Sequence, residues 1–139
     1  MLFRSDGAAG LEWLLARATA ERPVDQRQLL AALRFAREFL DDSIPAAAIV
    51  AATARLAGSA AVAADAIVDL ARYEAWDEVE SVAAWWPRAA DDPLIRRAVA
   101  GYLLACPSPA AAIHRARLEA DDAEAFARAR AAAALPPGQ

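Results

Sequence analysis

Apolar residues recur along most of this chain at spacings of three and four, the period of a helix with one buried face. Residues 8–21 place Leu11, Leu14, Leu15 and Ala18 on one face, with Trp13 off that stripe. Residues 24–41 predict the longest helix. Leu29, Leu33, Ala36 and Leu40 form its stripe, and Leu30, Phe35 and Phe39 widen it. Arg34 with Glu38, and Arg37 with Asp41, stand as i,i+4 pairs on its flanks. Ile49, Ala52, Thr53 and Leu56 make the next inward face. Val62, Ala66, Ile67, Leu70 and Tyr73 make another, with Asp65, Asp69 and Arg72 predicted to face solvent. No apolar–polar alternation and no Asn-Gly turn predicts a strand anywhere.

The punctuation between stripes is most explicit in residues 91–113, DDPLIRRAVAGYLLACPSPAAAI. Asp92 is placed to cap a helix, and Pro93 takes the first helical position, where its missing N–H costs nothing. Ile95, Val99, Tyr102 and Cys106 follow at helical spacing, Pro107 ends the run, and Ser108-Pro109 restart it by the same device. Elsewhere Ser43 and Ser59 are the expected caps, with Pro45 near a helix start and Gly58 as a stop. Asp77 with Glu80, and Asp121 with Glu124, read as capping boxes. Gly101 sits inside a helix, where glycine is unfavourable, which predicts a neighbouring helix crossing closely there.

These boundaries yield about eight helices. The starts at Ser43, Asp77 and Ser108 lie 34 and 31 residues apart, and SIPAAAI at 43–49 echoes SPAAAI at 108–113. Two helices per unit at a period in the thirties is the mark of stacked helical hairpins. The expected fold is therefore all-α, a right-handed α-solenoid of about four hairpins, HEAT-like, in one domain over residues 6–135. Residues 136–139 are expected to be a frayed tail. Residues 1–5, MLFRS, match the translated end of a common short-read sequencing adapter. They are expected to be an assembly artefact, which makes the chain the C-terminal piece of a longer protein, a metagenomic fragment.

DAIVDLARYEAWDEVESV, then PLIRRAVAGYLLACPSPAAA, then an acidic-capped last helix, resemble the C-terminal part of uncharacterised HEAT-like helical-repeat proteins of planctomycete bacteria. LLAALRFAREFL and IPAAAIV fit the repeats that precede it there, so the resemblance covers roughly residues 24–130. Tyr73 and Ala75-Trp76 stand where two tryptophans are common in that family. The resemblance implies a bacterial helical-repeat fold and no established activity.

Composition narrows the function. Hydrophobic residues are 58% of the chain, much of it alanine, a strong helix former. A net charge of −4 and a pI near 5.0 argue against a nucleic-acid partner, which needs clustered positive charge. No apolar run has membrane-spanning length. One cysteine, Cys106, and one histidine, His114, supply neither a disulfide nor a zinc set. Cys106 sits at a helix C-terminus, where the dipole disfavours a thiolate nucleophile. Asp65, Asp69, Glu74, Asp77, Glu78 and Glu80 read as a solvated face plus a cap rather than a metal or acid–base site.

Four residues are candidates for partner contact. Trp85 and Trp86 are adjacent, so their directions differ by about 100° and one of them is expected at a surface. Arg96 and Arg97, with Arg88, form a small basic cluster. The expected function is a non-catalytic module for protein–protein interaction or scaffolding, without catalytic residues, metal or cofactor. The alternatives are an enzyme built on helical repeats, of DNA-glycosylase-like or bilin-lyase-like kind, or a purely structural terminal cap. Self-association is expected through an apolar N-terminal end centred on Trp13 and Leu14.

Overall fold

The computed structural model describes residues 22–39 and 44–135. All regular structure among them is helical: α1 (Pro23–Phe39), α2 (Ala46–Leu56), α3 (Ala63–Arg72), a 3-10 turn (Trp76–Glu78), α4 (Val79–Ala83), α5 (Trp85–Arg88), α6 (Pro93–Ala105), α7 (Pro109–Asp121) and α8 (Ala123–Ala133). Leu40, Asp41, Ser43 and the tail at 136–139 lie outside the described residues. No helix among the described residues is long and apolar enough to cross a membrane. The chain divides into two compact units, residues 1–69 and 70–139, with α3 running across the boundary.

In the first unit α1 packs on α2. Leu29, Leu30, Leu33 and Ala36 of α1, and Ile49, Ala52 and Leu56 of α2, form its buried faces, as their spacing predicts. Thr53 and Gln26 are buried with hydrogen-bond partners. Thr53 donates its hydroxyl to the Ile49 carbonyl at 2.8 Å, and Ser59 donates to Oε1 of buried Gln26 at 2.8 Å. The Ser59 hydroxyl is therefore bonded to α1 rather than to amides of the helix ahead. Pro45 precedes α2 without a side-chain cap.

Three expectations for this unit change. Phe35 and Phe39 do not widen the α1 stripe but stand exposed, because Phe35 lies roughly 200° around the helix from Leu33. Arg34 does not pair with Glu38 along its own helix; its Nε donates to Asp69 Oδ2 at 2.5 Å. Asp69 does not face solvent: it is 0% exposed. It shares the inward stripe with Val62 and Ala66, at the i+7 and i+3 spacings of one helix face. A buried carboxylate is tolerable only with a charged or hydrogen-bonding partner, and Arg34 supplies one.

The second unit opens on the end of α3. Ala75 N–H bonds the Leu70 carbonyl at 2.9 Å and Glu74 N–H bonds that of Ala71 at 3.0 Å, the paired bonds of a Schellman motif. Its left-handed residue is Glu74, with φ 56°, where glycine is usual. The capping box expected at Asp77 and Glu80 does not form. A 3-10 turn runs into α4 instead, without a side-chain cap.

α6 is the centre of this unit and packs on α4, α5, α7 and α8. Asp92 caps it through the Ile95 amide at 3.1 Å, with Pro93 at its start. Ser108 caps α7 through the Ala111 amide at 3.3 Å. The cap of α8 is Asp122, bonded to the Ala125 amide at 3.0 Å. Asp121 instead completes α7, so the cap moves on by one residue and the second expected capping box does not form, the third helical position being Ala125. Ile95, Val99, Tyr102, Leu103 and Cys106 are buried along α6. α8 crosses at Gly101, where an added Cβ would stand 3.6 Å from Ala133 Cβ. The crossing is as expected, but that distance is ordinary contact, so the site has room for a methyl group.

Candidate functional site

An open groove of about 610 Å³ runs between α4–α5 and α7 in the second unit. Ala83, Trp86 and Leu118 are buried beneath it. Ala84 and Pro87 edge it on one side; Arg117, Ala120 and Asp121 edge it on the other. Glu80 and His114 join across it, Oε2 to Nε2, at 2.9 Å. Each side has a local cause. Pro87 has no N–H to bond the Ala83 carbonyl, which interrupts the helix between α4 and α5, and Ala84 and Pro87 form a low shoulder there. α7 buries little more than Ala111 and Leu118, which leaves His114, Arg117 and Asp121 on its groove side, one helical turn apart.

The groove rests on an aromatic scaffold. Trp86 meets Phe126 of α8 edge-on, with ring centroids 5.8 Å apart. Arg96 holds Trp86 from the other side. It donates Nε and Nη2 to the Trp86 carbonyl at 3.1 and 3.0 Å, and its guanidinium lies 4.2 Å from the ring centroid. Trp76 packs edge-on against Tyr102 at 5.2 Å. The Tyr102 hydroxyl donates to the Ala75 carbonyl. Burial, reinforced by Cys106 and the Glu78 carboxylate, pushes the Tyr102 phenol well above its ordinary value of 10.0.

The four candidate contact residues are brought partly together. Trp86 lines the groove and Arg96 braces it. Trp85 stands apart from the groove lining, and Arg97 donates to the Leu135 carbonyl at 3.4 Å. The expectation that one of the two tryptophans reaches a surface is not met: Trp85 is 6% exposed and Trp86 2%. The Arg88 guanidinium, 3.9 Å from the Trp85 ring centroid, covers one face of that ring. Cys106 is buried, with Sγ 3.3 Å from Ser108 Oγ. Trp13 and Leu14 lie outside the described residues.

The pairing of Glu80 with His114 was missed in the sequence because the two stand 34 residues apart. The local spacing of Glu80 from Asp77 reads as a cap, which hides it as a groove residue. Set against protein-family models, curated proteins and solved structures, the chain matches none.

Proposed function

We propose that this chain is a non-catalytic helical-hairpin module, HEAT-like in kind, that works by holding a protein partner. The observation that carries the reading is the groove between α4–α5 and α7, open to solvent, apolar at its floor and charged along its edges. A groove of that form accepts a helical or extended segment laid along it, with an apolar side chain over Ala83 and Leu118 and polar groups against Glu80, Arg117 and Asp121. The right-handed stacking of hairpins belongs to the same reading. Two successive helices starting alike, at Asp92-Pro93 and Ser108-Pro109, support it.

Photo-crosslinking residues at Ala84 and Ala120, on the two edges, test the proposal, with exposed Ala127 on α8 as the control position. The same protein adduct is expected from both edges in cell extract and not from the control. Ala120→Trp fills the groove and is expected to abolish the adduct from Ala84. Equal labelling from all three positions, or adducts that survive Ala120→Trp, would remove the groove as the binding site.

A further inference from the structure

We infer that the outward face of α1 is a homodimer interface that receives a second copy of this chain in antiparallel register. Three exposed large apolar side chains lie on this one helix: Val24 (44%), Phe35 (55%) and Phe39 (63%). With exposed Gln28, Ala31 and Ala32 they fall within roughly 100° of the helix circumference, opposite the buried Leu29–Leu33–Ala36 stripe. Phe35 and Phe39 touch, with ring centroids 4.9 Å apart, so the surface is continuous. It is distinct from the groove of the second unit, and the inference does not rest on the function proposed there.

Charge selects the occupant. Arg27 and Glu38 are exposed on the same edge of this face, near its opposite ends. Their separation along the helix is roughly 16 Å at the α-helical rise. Two such helices paired antiparallel, centred between Ala32 and Leu33, bring Arg27 of each copy level with Glu38 of the other. Two-fold symmetry makes both ion pairs identical. A parallel two-fold pairing would carry this edge to opposite sides of the seam in the two copies and leave Arg27 and Glu38 without partners across it.

The same register satisfies the packing. Phe39 of one copy falls level with the gap between Val24 and Gln28 of the second, and Phe35 with the gap between Gln28 and Ala31. The alanines sit at the crossing, where small side chains let the backbones approach. One register thus satisfies both the charges and the large-on-small fit. An unrelated partner would have no reason to find its own complement built into α1.

Sedimentation equilibrium on the full chain tests this. A reversible dimer is expected, and Phe39→Glu should make it monomeric with helicity retained. Arg27→Glu and Glu38→Arg should each weaken dimerisation roughly tenfold, since each breaks two exposed pairs and adds repulsion. Arg27→Glu combined with Glu38→Arg should restore it. If Phe39→Glu lowers helicity, the three charge variants decide the matter alone. A monomeric parent chain at millimolar concentration overturns the inference. So does a dimer indifferent to the charge exchange, or one abolished by Trp13→Glu and untouched by Phe39→Glu.

Discussion

The two units of this chain solve the same problem with different chemistry. The first, over residues 22–69, has an aliphatic interior among its described residues and carries a buried ion pair, Arg34 with Asp69. Its aromatic residues on α1 are outside. The second, over residues 70–135, keeps its aromatics inside, as Trp86 on Phe126 and Trp76 on Tyr102, and places arginines over the tryptophan rings. Its long helices α6, α7 and α8 all start on bonded side-chain caps. Large rings bury much area per residue, so short helices such as α4 and α5 are held although they are far too short to be stable alone. A buried carboxylate adds little net stability, because its desolvation offsets the attraction, but it is costly to strand. The first unit should therefore be sensitive at one charge, and the second at its rings.

The largest test of that contrast is Trp86→Ala. It empties the contact with Phe126, removes the ring under the Arg96 guanidinium and takes away part of the groove floor. A loss of about 4 kcal/mol is expected, within the range for a buried aromatic, read by denaturant unfolding. A loss under about 1 kcal/mol would mean that the aromatic scaffold does not hold the second unit together.

Arg34→Ala is next. It takes a charged partner from a carboxylate with no solvent exposure, and about 3 kcal/mol should be lost at neutral pH. Asp69→Ala should cost less, since Arg34 is partly exposed and rehydrates. Equal costs would show that burial of the carboxylate is not what makes the pair sensitive.

Tyr102→Phe leaves the Ala75 carbonyl without its donor and should cost about 1 to 2 kcal/mol. It also carries a pH signature. The folded phenol titrates above the unfolded value of 10.0, so its contribution is complete below about pH 10 and is lost as pH rises beyond it. The parent protein should lose stability with alkali more steeply than the phenylalanine variant. Parallel curves in thermal melts between neutral pH and strongly alkaline buffer would remove Tyr102 as the cause.

The smallest effects are gains, both in the second unit. Gly101→Ala should stabilise by up to about 1 kcal/mol, because the methyl fits at contact distance from Ala133 and helix propensity improves. Glu74→Gly should gain a similar amount, about 1 kcal/mol, by relieving a left-handed residue. A loss at Gly101 would show that the α6–α8 crossing is tighter than 3.6 Å implies.

How much of this was written in the chain depends on the sequence distance of each interaction. The helical class, the stripes on α2 and α6, and the starts at Asp92-Pro93 and Ser108-Pro109 followed from residues three or four apart. At that range the backbone itself sets the geometry, so type and spacing suffice. The same local rules erred where a distant group competed. Glu80 reads as half of a capping box until His114 offers it a partner, and Asp69 reads as solvated until Arg34 comes beside it from 35 residues away. Phe35 and Phe39 read as core because hydrophobicity alone does not say which face meets a neighbour. Trp85 and Trp86 are both buried because Arg88 and Phe126 cover different faces of them. Periodicity determines which residues share a face. What lies opposite that face, and so whether a charge, a ring or an empty groove ends up there, depends on contacts between helices far apart in the chain, and only the tertiary structure decided it.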